Sequence, residues 1–163
     1  MRYVIAAAQE HVLSVWRSVL AGNGQFDLRR GYGPETAAGC DAEVMAAPLA
    51  HDLYGGKPSP TRAQVLVNER GDGLPPLIVA MPAVLLQRQA GTRAEPPERE
   101  PDSGLQNLML RCLEAVDEFN AQNPGRAVAV LEFAIDGMMI PDSMQEQAAR
   151  ATLKAIQAFG NAS

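Results

Sequence analysis

Gly55-Gly56 and Asp136-Gly137 are two places where this sequence offers backbone N–H groups to a ligand. Each follows a run that reads as a strand, and in an open α/β sheet ligands settle outside the carboxyl ends of strands. A glycine pair lets successive N–H groups point into one concavity, and the helix expected after Asp136-Gly137 adds the positive end of its dipole; both suit phosphate. Tyr54 and Lys57 flank the glycine pair, while Ala47 and Met138 would close the same crevice from its two sides. The candidate ligand contacts are therefore Ala47, Tyr54, Gly55, Gly56 and Lys57 on one wall, with Asp136, Gly137 and Met138 on the other.

Three carboxylates are candidates for acid–base work. Asp52 stands next to His51, and an imidazole beside a carboxylate can act as a general base; exposed loop polarity is the plainer reading. Glu132 interrupts the apolar run 127–134, where burial would raise its pKa and fit it to act as acid or base, unless it lies on a polar edge or pairs with Arg126. Asp136 faces the crevice, where it would repel a diphosphate. Met138, Met139 and Ile140 either line a pocket or plug it. Lys57 and Arg62 could meet an anion or simply be solvated charges. Neither Cys40 nor Cys112 has a neighbour that would activate it, and with only His11 and His51 a zinc site would have to recruit carboxylates, so no nucleophile, metal or cofactor is expected. A G-x-S-x-G elbow, a P-loop and a G-x-G-x-x-G turn are all missing from the sequence.

The chain that must position these groups has 163 residues, 47% of them hydrophobic and 20% charged, with 19 acidic against 14 basic side chains and a net charge of −5. That is the composition of one globular domain, spanning 1–163, rather than a disordered or disulfide-framed chain. The negative balance argues against a module held on nucleic acid phosphates. The longest apolar runs fall far below the roughly 20 residues of a membrane helix. Two cysteines outside any C-x-x-C pattern, and no export signal, point to the cytoplasm.

Periodicity places the elements. Strands are expected at 2–6, 26–30 (an edge or half-buried strand), 41–47, 64–68, 77–81 and 127–134, the fifth apolar throughout as in a strand covered on both faces. Helical spacing marks 9–21, with Trp16 as core, a second helix running from Asp102 or Ser103 to the Asn123-Pro124-Gly125 stop, and a last one after Pro141. That last helix has a capping box at Asp142 with Gln145, or at Ser143 with Glu146. Residues 51–58 read as a loop after Pro48, and 87–102, rich in Arg, Glu and Pro, as a mobile surface loop. The expected fold is a three-layer α/β/α domain, its mixed central sheet flanked by helices on both faces, with 64–81 an antiparallel pair.

The order of these pieces resembles the macro domains, which bind ADP-ribose and related nucleotides. Asp41-Ala-Glu-Val-Met-Ala-Ala-Pro48 is similar to the family's D-A-I-V-N-A-A-N strand, and Tyr54-Gly55-Gly56 to the glycine-rich loop after it. Ala63-Gln-Val-Leu-Val67, Gly73-Leu74-Pro75 and Ile78-Val-Ala-Met-Pro82 match later family blocks in spacing and type. Ala129 to Pro141, with Ala148-Ala149 behind, resembles the S-I-A-F-P-x-x-G-T-G block and its following helix. The chain departs from the family where function lies: Met45 and Pro48 replace both motif asparagines, no Asp stands near Tyr32 for the adenine amino group, and the G-T-G loop shrinks to Asp136-Gly137. The resemblance thus implies a macro-like fold with a degenerate ADP-ribose site.

Three functions follow as expectations. The first is a non-catalytic binding module for a nucleotide-type or other small anionic ligand. The second is an ADP-ribosyl or phosphoester hydrolase with its acid/base moved to Asp52, Glu132 or Asp136. The third is a protein-interaction scaffold, with a second copy of the chain among its candidate partners, whose cleft is closed by Met138 and Met139.

Overall fold

A computed structural model describes residues 1–83 and 103–162 of the chain. The expected loop 87–102 and the N-cap candidate Asp102 lie outside these residues. Six strands form one sheet: β1 (Arg2–Ala7), β2 (Phe26–Arg30), β3 (Ala42–Met45), β4 (Gln64–Val67), β5 (Leu77–Ala80) and β6 (Val130–Ala134), in the order β2-β1-β6-β3-β5-β4. Every neighbouring pair is parallel except β4 with β5, which run antiparallel as expected from the short Gly- and Pro-rich link between them.

Strand alternation sorts the sheet into two faces. Tyr3, Ile5, Val44, Val79, Leu131 and Phe133 point to the first, where α1 (Glu10–Leu20), α4 (Ser103–Gln122) and α5 (Gln145–Ala162) cover them with Leu13, Trp16, Met109, Leu113 and Ala151. The second face is thinner. There α3 (Ala47–Tyr54) lays Leu49, Ala50 and Tyr54 on Met45, Ile78, Ala80 and Leu66, and the four-residue α2 (Pro34–Ala37) supplies Thr36 and Ala37. The result is a three-layer α/β/α fold with a mixed sheet. Among the described residues, no helix is long and apolar enough to cross a membrane.

Two polar devices fix the sheet at its amino edge. The Asp41 carboxylate accepts from the N–H groups of Ala129 and Val130, both at 2.9 Å, while its own N–H donates to the Val130 carbonyl, so β3 and β6 are brought into register before either begins. The Asn120 side chain pairs with both backbone groups of Val128 in the manner of a strand neighbour.

The sequence reading misses two helices. Residues 51–54, expected as loop, belong to α3, and the strand expected to reach Ala47 stops at Met45. Pro48 opens this helix rather than ending a strand, because a proline in the first turn gives up an N–H that would have no intrahelical partner. Gly55, at φ 83, closes it with its N–H on the His51 carbonyl. The last helix also starts differently from expectation. Gln145 turns inward, accepting from Trp16 Nε1 at 2.8 Å and donating to Ile140 at 3.0 Å, so its side chain is not free for a capping box with Asp142. Asp142 instead faces His11 at 3.4 Å.

Candidate functional site

Four segments meet at the carboxyl edge of the parallel strands. β1 runs on through Ala8 and Gln9 into α1, β3 through Ala46 into α3, β5 into Met81 and Pro82, and β6 into a 3-10 turn, Ile135–Met138. That turn is stitched to its neighbours by backbone bonds: Ala46 N–H donates to the Gly137 carbonyl at 2.9 Å, and Ala8 N–H to the Asp136 carboxylate at 2.9 Å. A Cβ on Gly137 would meet Met45 at 3.6 Å, an ordinary van der Waals contact. The turn ends at Met139, whose φ of 56 is left-handed and whose side chain is 56% exposed. A non-glycine residue held there without a β-branch is uncommon and marks a position fixed by its surroundings.

Beside this turn lies an apolar pocket of about 30 Å³, room for one or two waters. Ala46 and Ala47 form one wall, Met81 and Pro82 the second, and Leu105 and Leu108 of α4 the floor; Met138 to Pro141 and Met144 close it. Four of the seven methionines of the chain thus line one small cavity. The N-terminus of α3 lies at the same edge, since Ala47 is both pocket wall and first residue of that helix, and Pro48 leaves its first turn one N–H short.

The expected ligand residues divide into two groups. Ala47, Gly137 and Met138 are brought together, as the sequence reading supposed. Tyr54, Gly55, Gly56 and Lys57 are not with them, because α3 intervenes and carries them some 12 Å along its axis. Gly56 packs against the edge strand β4, where a Cβ would lie 3.2 Å from Leu66 and 3.3 Å from the His51 ring. Tyr54 donates to Asp72 at 2.7 Å, which together with burial holds its phenol protonated well above the ordinary range. The exposed Lys57 accepts at its carbonyl from Gln64. His51 Nδ1 donates to the Gly55 carbonyl at 2.9 Å, so the ring closes its own helix rather than pairing with Asp52.

The three candidate acid–base groups do not converge. Asp52 is exposed on α3, and Asp136 is exposed with one oxygen on Ala8 N–H. Glu132 is fully buried on the second face of the sheet and lines neither wall of the Met pocket. Neither an edge position nor Arg126 accounts for it: its neighbour across the β3–β6 pairing is Glu43, itself 4% exposed. Burial raises the pKa of both, that of Glu43 to about 8, and Thr36, Arg29 and Glu43 temper the rise at Glu132. Sequence reading singled out Glu132 but not its partner. A glutamate in a short, alanine-containing strand looks like the polar half of an alternation, and only the register reveals what it faces. Among the described residues no cluster of three or more His, Cys, Asp and Glu side chains could hold a metal. Compared with known proteins, the sequence matches no family model and no curated protein.

Proposed function

We propose that this chain is a non-catalytic binding module of macro-like build, taking a small nucleotide-type ligand at the carboxyl edge of its sheet. The observation that carries this reading is the gathering of Met81, Met138, Met139 and Met144 around one apolar pocket at that edge. Methionine side chains are unbranched and polarisable, so a pocket walled by them can open around a flat apolar group such as a purine without disturbing the sheet. The N-terminal N–H groups of α3 stand beside it for the anionic part of the ligand. Met139 stands exposed at the pocket mouth. The dispersal of Asp52, Glu132 and Asp136 favours binding over hydrolysis. Both cysteines are free and buried, which suits a reducing compartment, and a cytoplasmic location belongs to the same reading.

Calorimetric titration with ADP-ribose tests it, alongside a Met139→Glu variant. The substituted side chain stays exposed, so the fold is spared, while its charge opposes an anion at the mouth. Saturable binding weakened at least about tenfold in the variant, the size of one lost charge-assisted contact, supports the reading. No heat and no thermal shift at millimolar ligand overturns it. A second reading then takes over, favoured by the small size of the cavity: the cleft is closed and its methionine surface is a protein contact.

A further inference from the structure

Glu43 and Glu132 sit side by side near the middle of the sheet, in a row that runs Asp27, Val4, Glu132, Glu43, Ile78, Leu66 across all six strands. Among the described residues, Oε2 of Glu43 and both carboxyl oxygens of Glu132 are buried without a hydrogen-bond partner. Two ionised carboxylates in such a place would repel each other and leave their lone pairs unsatisfied. A proton shared between them removes one charge and supplies the donor.

The groups that face the pair come from every neighbouring element. Arg29 of β2 lowers the pKa of Glu132, but its Nε is held by Asp27 at 2.9 Å and its Nη1 by the carbonyls of Thr36 and Ala38, at 2.8 and 2.6 Å. Thr36 of α2 lies on the Glu132 side and tempers its pKa while its hydroxyl donates to the Gly33 carbonyl at 3.3 Å, and the Cys40 thiol feels the same carboxylate. Asp72, in the β4–β5 loop and bonded to Tyr54 of α3, adds negative charge on the Glu43 side. The two covering segments touch each other: a Cβ on Gly73 would lie only 2.8 Å from Pro34. α2 and the β4–β5 loop therefore form a cap on this side of the sheet, with Thr36 on the Glu132 side and Asp72 on the Glu43 side.

We propose that Glu43 and Glu132 hold a single proton that latches this cap, and that loss of the proton releases α2 and the β4–β5 loop from the second face of the sheet. With the cap closed, burial keeps the proton on the pair up to about pH 8; once it opens, the hydrated carboxyls return toward the ordinary 4.5. The closed state binds more protons. Its advantage is complete below the ordinary carboxyl range, falls as pH rises through the interval to about 8, and is constant above that.

Cys40, 7% exposed at the exit of α2, reports on the cap, and Cys112, fully buried in α4 on the opposite face, reports on global unfolding. Both thiols are labelled with iodoacetamide between pH 5.5 and 9 in the wild type and in Glu43→Gln, and each site is read by mass spectrometry. The amide donates to Glu132 as the protonated acid does but cannot ionise. The expected ratio of Cys40 rates, wild type over variant, rises by up to about tenfold per pH unit and levels above pH 8, with Cys112 protected throughout. A flat ratio overturns the proposal, as does Cys112 reacting in step with Cys40. Should the variant fail to fold, carbon NMR of the wild-type glutamate carboxyls decides: a coupled pair titrating above the ordinary range supports the latch, and every glutamate titrating near 4.5 refutes it.

Discussion

Gln145 stands between three elements: it accepts from Trp16 of α1, donates to the carbonyl of Ile140 at the pocket wall, and begins α5. Replacing Trp16 by Phe leaves the buried Gln145 oxygen without its donor, a loss of about 1–3 kcal/mol before any cavity forms. For a chain of this length each kcal/mol moves Tm by roughly 2–4 °C, so scanning calorimetry should find the variant several degrees less stable. An unchanged Tm would mean that Gln145 has a second donor within reach. Gly56 makes a similar test by a different route. Its φ of 75 and the nearness of Leu66 and His51 make Gly56→Ala destabilising by about 1–2 kcal/mol, measurable in urea, whereas Gly125, with open space and no positive φ, should accept alanine at little cost. Trp16 was legible as core from its helical spacing. Gln145 was legible only as a cap, because nothing local in the sequence tells an inward amide from an outward one.

At the scale of elements, all six strands of the sheet and the helices α1, α4 and α5 were found from sequence, the strands expected at 41–47 and 127–134 being shorter in the structure, at Ala42–Met45 and Val130–Ala134. The two that were missed are short and flanked by Pro and Gly, so the breaker residues outweighed a period too brief to register. Of the two, α2 is tied at one end by a single side chain. Arg29 ties down the carbonyl end of α2, where no side-chain cap exists at the other end. Arg29→Met, which keeps the stem but none of the bonds, should speed hydrogen exchange at residues 33–40 while leaving α4 and α5 protected. Equal protection in variant and wild type would show that α2 is held by packing of Thr36 and Ala37 alone.

The whole molecule should carry the signature of its buried acid pair in its pH dependence. Because the native pKa of Glu43 is raised to about 8, stability present at low pH is lost as pH climbs from the ordinary carboxyl range through that value. Thermal melts of wild type and Glu43→Gln should therefore diverge in favour of the variant across that interval and run parallel above it. A gap that is constant from pH 5 to 9 would remove the shared proton. The three-layer class was legible because strand and helix periods alternate along the chain. The candidate site was legible only in part: Met138 beside the crevice and Gly137 at a strand end came from neighbouring residues, but Glu43 meets Glu132 through a pairing of strands almost ninety positions apart in sequence.

That same pairing sets the timetable of assembly. β6 is inserted between β1 and β3, so a nascent chain that has emerged only through β5 holds two half-sheets, β2-β1 and β3-β5-β4, with nothing to join them. Each exposes an unpaired strand edge, the kind of surface on which chains stick to one another. Until Val130–Ala134 leaves the ribosome tunnel, the facing edges of β1 and β3 have no strand between them.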